Sequence, residues 1–433
     1  MKIVNCEILD PTSGDRFQGF LEWEGAVITK VGRGRPGLSR SDVFEDEVLD
    51  GRGCLLTSSF VELFADFCEP GYEHREDIGS GSLAAAAGGY TTVCVIPDTQ
   101  PVCDGGDTAQ YIRERARQVG LVEVLPLGAT TRDLAGEAMS EIAELAEAGI
   151  PALSAAERYE RDTGLLRRVF EYAGNFGLRM LLFNEDPSLA RGGVANEGLT
   201  ATRLGLPPIP AAAEEIAVAR HIALCALTGV PLHLACLSSA ASVRLVREAK
   251  QRNLPVTASA SALHLLRTDA DLAEYDSFLN VRPPLRGEAD REALIEALED
   301  GTLDAVVSAH RPRAAHEKAV EFERALPGAS GIEFTFSLLN ELVQARRLSL
   351  LRAVRALTTG PRRAIGLKEG GLKPGMPADL VLLDLTTPWT LTADRIRSRG
   401  HNTPFLGQAL TGRVVLTVRS GRITFNGWTE SER

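Results

Sequence analysis

Phe60-Val61-Glu62-Leu63-Phe64-Ala65-Asp66 reads as one short β-strand, and it is the first of a series. Working outward toward the C-terminus, comparable runs fall at residues 91–96, 122–128, 151–154, 179–184, 231–236, 255–260 and 303–308. Helical stretches separate them, and this alternation implies right-handed βαβ units around a parallel sheet. Eight such units favour a (β/α)8 TIM-type barrel, class α/β, over an open sheet. Among the intervening helices, 211–227 begins just after Pro210. It is read with Ile216, Ala219, Ile222 and Ala223 on the inward face and Glu214, Glu215 and Arg220 turned away. The alanine-rich run at 83–87 reads as a close-packed helix ending at Gly88-Gly89.

On the N-terminal side of the opening strand, β-type runs at 2–9, 20–31 and 47–49 are broken by turns. The same texture returns at 379–383 and 413–418, before the turn at Ser420-Gly421-Arg422. The expectation is a small composite β domain built from both chain ends, 1–54 plus 368–433, on a barrel of residues 55–367.

The chain has 433 residues, 44% hydrophobic and 24% charged, the proportions of a globular protein with a large core. Its formal net charge of −11 repels phosphate backbones and anionic lipid, so neither nucleic acid nor membrane is an expected partner. The seven cysteines form no CxxC pair and are read as reduced and mostly buried. Met1-Lys2-Ile3-Val4 opens directly into a strand-like run, and no stretch approaches 18 uninterrupted apolar residues. A cytoplasmic location is expected.

In such a barrel the chemistry sits at the C-terminal ends of the strands, and here those ends are apolar. Period-two alternation puts Phe64 and Asp66 side by side. Several neighbouring residues have plain structural readings. Cys236 at the end of an apolar strand reads as an inert buried thiol, and His233 as a hydrogen-bonded core histidine. His310 with Arg311 and Arg313 reads as a solvated loop, with anion binding as the alternative. Asp66, if buried, needs a cation, for which Arg282 is the first choice. The glycine-rich 192–198 lacks the Lys-Ser/Thr and following helix of a phosphate loop.

Ser59-Phe60-Val61-Glu62-Leu63-Phe64-Ala65-Asp66-Phe67-Cys68-Glu69-Pro70-Gly71 resembles the dihydroorotase signature, which reads approximately G-F-V-D-L-H-V-H-L-R-E-P-G. Further likeness covers 84–92, 192–198, 204–213, 283–286, 301–304 and 402–405. The resemblance implies that the family's paired metal histidines fall on Phe64 and Asp66. It places the arginine that holds the substrate carboxylate on Cys68. The acidic ligand after the fourth strand falls on Ala155, in Ser154-Ala155-Ala156-Glu157. The ligand histidines after the fifth and sixth strands fall on Phe183 and Cys236, and the catalytic aspartate on Ala309. Substrate-contacting positions fall on Asp98, Arg282 and Arg313.

Phenylalanine and alanine carry no lone pair for Zn²⁺. The expectation drawn from the resemblance is therefore a chain with no cofactor, the family zinc lost, that is not an enzyme. It would be a homo- or hetero-oligomeric structural or regulatory subunit beside the aspartate carbamoyltransferase catalytic chain of pyrimidine biosynthesis, with 192–210 as a candidate contact region. Two alternatives stand beside it. One is a metal-dependent cyclic-amide hydrolase with a site rebuilt from Asp66, Cys236, His264 and His310. The other is a sensor that binds a pathway anion through Arg282, Arg311 or Arg313. Lys318 is a further lysine that a linear reading leaves within reach of the pocket.

Overall fold

A computed structural model describes residues 1–34 and 48–428. Eight parallel barrel strands follow the sequence reading closely: Phe60–Ala65, Tyr90–Val95, Glu123–Pro126 continued by Gly128–Ala129, Ala152–Ser154, Arg179–Phe183, Leu232–Ala235, Val256–Ser261 and Ala305–Val307. The first three pair in order as one ladder, and Gly128–Ala129 begins the second, which runs through to Ala305–Val307. Between the eighth strand and the first, closure is made by a side chain rather than a ladder. The buried Glu62 carboxylate accepts Phe64 N–H at 2.9 Å on its own strand and Ser308 N–H at 2.7 Å across the seam. Asp66 N–H adds a bond to His310 O at 2.8 Å.

The interior is packed, as a barrel of this size requires. Val61, Leu63, Phe64, Leu125, Leu181, Phe183, Ala305 and Val307 form one apolar cluster inside it.

Both chain ends do build one sheet. Its order is Arg422–Asn426, Ala409–Arg419, Leu380–Thr390, Cys54–Ser58, Lys2–Leu9, Arg16–Glu24, Val27–Arg33, with Val48–Asp50 also paired to Lys2–Leu9. Cys54–Ser58 belongs to this sheet, so the β domain extends past the expected limit at residue 54. The single run expected at 20–31 is two strands joined by a turn at Gly25. Of the run expected at 47–49, Glu47 lies outside the described residues.

The helix expected at 211–227 spans Ala212–Thr228, yet its inward face is misread from sequence. Glu214 is buried and Ile216 is 49% exposed. The reason is electrostatic: the Glu214 carboxylate takes Ser238 N–H at 3.0 Å, Ser239 N–H at 3.0 Å and the Ser238 hydroxyl. It thereby satisfies the turn that follows the sixth strand, and these bonds offset its desolvation. All seven cysteines are free, and all but Cys54 are buried. Among the described residues, no helix is long and apolar enough to cross a membrane.

Candidate active site at the barrel mouth

At the mouth, Phe64 and Phe183 stack with ring centroids 6.4 Å apart and planes 19° from parallel. They occupy the axis where the resemblance puts histidine ligands, and Cys236 and Ala156 belong to the same interior cluster, whereas Ala155 is buried on the outer side of the strands, in the core shared with the helices. Burial pushes the Cys236 thiol well above its ordinary pKa, as it does the Cys68 thiol, so neither is a thiolate near neutral pH. Cys68, Ala156, Cys236 and Ala309 share a left-handed backbone, with φ of 58°, 52°, 56° and 48°. That conformation costs a non-glycine residue about 1 kcal/mol or more, and such strain gathers at ligand-facing turns.

The charged groups of the mouth converge on Arg311. Its Nη1 lies 2.7 Å from Glu157, and its Nη2 lies 3.1 Å from Asp98 and 3.7 Å from Asp66. Arg311 is 5% exposed, so the solvated loop expected around it is a buried ion cluster. Coulomb attraction to the three carboxylates raises its pKa against the desolvation that would lower it. Asp66 thus pairs with Arg311 and not with the expected Arg282, which holds Glu185 at 2.9 Å. Both choices put a cation on a buried carboxylate, but only the eighth-strand loop reaches this one. The Asp66 carboxylate also accepts Cys68 N–H at 2.8 Å, fixing the turn after the first strand.

Arg313 is buried as well, and its Nε–H donates to Pro327 O at 2.9 Å. His310 is buried, with Glu76 at 3.5 Å from Nε2. His233 is the core histidine expected, between Thr257 Oγ1 and Ser259 Oγ at 3.0 Å each. Lys318 is held by backbone carbonyls of Asn280 and Leu326 at 3.3 and 2.9 Å, and it does not line the mouth pocket.

The pocket that remains is bounded by Arg282, Arg311, Ala309, Ser261 and His264 among others, with a volume of about 30 Å³. Such a space admits water-sized groups, so a ring-sized ligand requires its wall to open. One pair on that wall, missed from sequence as a pair, has the relation of a nucleophile and a base. His264 Nε2–H donates to Pro283 O at 3.0 Å, which leaves Nδ1 as acceptor for the Ser261 hydroxyl at 2.7 Å. Burial lowers the His264 pKa from 6.5 to about 4, so the ring is neutral at pH 7. The signal was three residues of spacing across a strand end, which also describes a helix cap; Ser261 does cap the short helix Ala262–Leu266.

A closed parallel barrel seated on a two-ended β sheet is the architecture of the hydantoinases. L-Hydantoinase (dihydropyrimidinase) from Arthrobacter aurescens matches it with a TM-score of 0.87 at 22% identity, covering 99% of this chain and 96% of that one. Dihydropyrimidinase from Brevibacillus agri NCHU1002 matches at 0.83 and 22%, covering 99% and 95%.

Sequence relatives are nearer. Dihydroorotase of Anaeromyxobacter dehalogenans strain 2CP-C is 44% identical over 424 residues, 97% of this chain and 96% of that protein. Dihydroorotase of Pelobacter propionicus is 37% identical over 423 residues, 98% and 99%. Residues 53–242 match the dihydro-orotase-like family, and 202–424 match the amidohydrolase family. The chain belongs to the dihydroorotase family of the amidohydrolase superfamily.

Two expectations are corrected by these relatives. The chain was expected not to be an enzyme, yet proteins named for an enzyme match it across nearly its whole length. It was expected to have no cofactor, yet amidohydrolases of this family are metal-dependent, typically on zinc. The inherited ligand positions nevertheless do not fit that ion. Phe64, Ala155, Phe183 and Ala309 have no lone pair, Asp66 is engaged by Arg311, and the Cys236 thiol stays protonated. Among the described residues, no three His, Cys, Asp or Glu side chains are grouped to hold a metal.

Proposed function

We propose that the chain is a cyclic-amide hydrolase of the dihydroorotase type whose mouth has been rebuilt. The observation that carries this reading is 44% identity spread over 97% of the chain to a protein named dihydroorotase. Hydrolysis of such a ring breaks one C–N bond: an oxygen adds to the carbonyl carbon, and the ring nitrogen leaves with a proton. The Ser261–His264 pair supports this chemistry, because Nδ1 of a neutral imidazole is placed to take the proton of an attacking oxygen and return it to the leaving nitrogen. Arg282 on the same wall, about a third exposed and held on one side by Glu185, supports recognition of a substrate carboxylate.

The test is turnover of dihydroorotate, and of carbamoyl aspartate in the reverse direction, by protein purified after growth with added zinc. Plasma mass spectrometry of the same sample gives its metal content. Turnover is expected, falling about 100-fold or more in His264→Gln. No turnover in either direction at any metal loading overturns the reading.

The family resemblance also supports a partner, the aspartate carbamoyltransferase catalytic chain. Leu199, 65% exposed within the 192–210 stretch, supports that stretch as part of the contact. The two purified chains are expected to co-elute on size exclusion, with Leu199→Asp weakening the complex; separate elution at micromolar concentration rejects the partner.

A further inference from the structure

At the opposite end of the barrel from Arg311, three arginines close on a cavity of about 250 Å³. Its walls are the Pro11-Thr12 turn of the β domain, Gly301 and Asp304 at the entry to the eighth strand, the helices Leu350–Leu357 and Thr359–Ala364, and Glu369 beyond them. We propose that this cavity binds a phosphate-type anion, with Arg352, Arg355 and Arg363 as its ligands.

Arg352 and Arg355 lie three apart on one helix and so share a face. Arg352 is only partly exposed, and among the described residues it has neither a carboxylate nor a hydrogen-bond acceptor. Its guanidinium packs over Gly301, where an added Cβ would stand 3.1 Å from Nη1; the approach depends on a residue with no side chain. Arg355 donates Nε–H to Pro11 O at 2.8 Å. That bond fixes the plane of the guanidinium while its two terminal nitrogens stay without a carboxylate.

Arg363 is 60% exposed, with Asp304 and Glu369 at 3.9 and 3.8 Å, both beyond hydrogen-bond distance. Asp304 takes both Lys250 Nζ at 2.7 Å and Ala258 N–H at 2.9 Å on Oδ2, and only its Oδ1 faces Arg363. The cluster therefore carries surplus positive charge in a chain whose formal net charge is −11.

Surface arginines ordinarily find carboxylates or splay into water. Here Arg352 and Arg355 are partly buried side by side, one unpaired and one clamped by a carbonyl, with the more exposed Arg363 beside them, and planar forks in that state match the oxygens of a phosphate group. The volume is below that of pockets for drug-sized ligands, which fits a phosphate or a small phosphate monoester better than a whole dinucleotide. Because Pro11 comes from the β domain and Arg352 from the barrel, an occupant here ties the two together. None of these residues belongs to the mouth, so the proposal stands whether or not the proposed hydrolase activity does.

Thermal unfolding of the full chain with inorganic phosphate or ribose 5-phosphate, against sodium chloride of matched ionic strength, tests it. A saturable rise in melting temperature is expected. In Arg352→Ala, which removes no native hydrogen bond, the midpoint concentration should rise at least about tenfold, the weight of one charge-assisted contact. A larger response to ribose 5-phosphate than to phosphate identifies an organic monoester as the ligand class; equal responses identify the free ion. Shifts no greater than those from sodium chloride, or an Arg352→Ala protein that responds as the wild type does, overturn the proposal.

Discussion

Replacing Arg311 with methionine is expected to lower the stability of the fold by about 3–5 kcal/mol, read as a shift in the urea midpoint. The methionine fills much of the space but leaves Asp66, Asp98 and Glu157 facing one another without their cation. Water can reach Asp98, whose side chain is 29% exposed, but reaches Asp66 hardly at all. Arg311→Lys should recover only part of the loss, since a single ammonium cannot span carboxylates on three separate loops. Adding Glu157→Gln to the methionine variant should cost less than the two changes measured separately, because they share one interaction. A methionine variant within about 1 kcal/mol of the parent would mean that the cluster is already solvated and that the buried geometry carries little energy.

Acid is expected to unfold this protein in a window set by its buried imidazoles. Desolvation lowers His233 from 6.5 to about 3 and His264 to about 4, and it puts His221 well below 6.5. The native state therefore holds fewer protons than the unfolded chain. Stability from these groups is complete above pH 6.5 and is lost as pH falls from there toward about 4 for His264 and about 3 for His233. Three protons taken up on unfolding give a limiting slope of about 4 kcal/mol per pH unit. Urea midpoints at pH 7, 6 and 5 measure it, and His233→Gln should remove roughly a third of the slope. Equal midpoints at pH 7 and 5 would contradict the burial of all three rings.

The barrel was legible because strands buried on both faces read as near-continuous apolar runs, and Met180 to Phe183, with 60–65 and 232–236 broken only by Glu62 and His233, have that form. Glu214 was not legible. Helical periodicity turns a glutamate outward, and only the backbone amides of Ser238 and Ser239, supplied by a turn across the fold, turn it in. The mouth was half legible. Motif positions put Phe64, Cys236 and Ala309 at strand ends, but which cation meets Asp66 depends on how the loops after the first and eighth strands lie together. Linear spacing carries nothing about that choice between Arg282 and Arg311. The function inferred from lost ligands failed for a related reason: an absent side chain says which atoms are missing, whereas the relatives speak for the chain as a whole.

Cys54–Ser58 pairs with Lys2–Leu9 on one side and Leu380–Thr390 on the other. During translation, the first of these partners is available almost at once. The second leaves the ribosome only after the entire barrel has been made, a delay on the order of half a minute at ordinary elongation rates. For that interval the nascent chain carries an unpaired apolar strand edge beside a growing barrel, open to strands of other chains. The β domain is thus the last part of the molecule to be sealed, and nascent chains halted before residue 380 are the ones most in need of a chaperone.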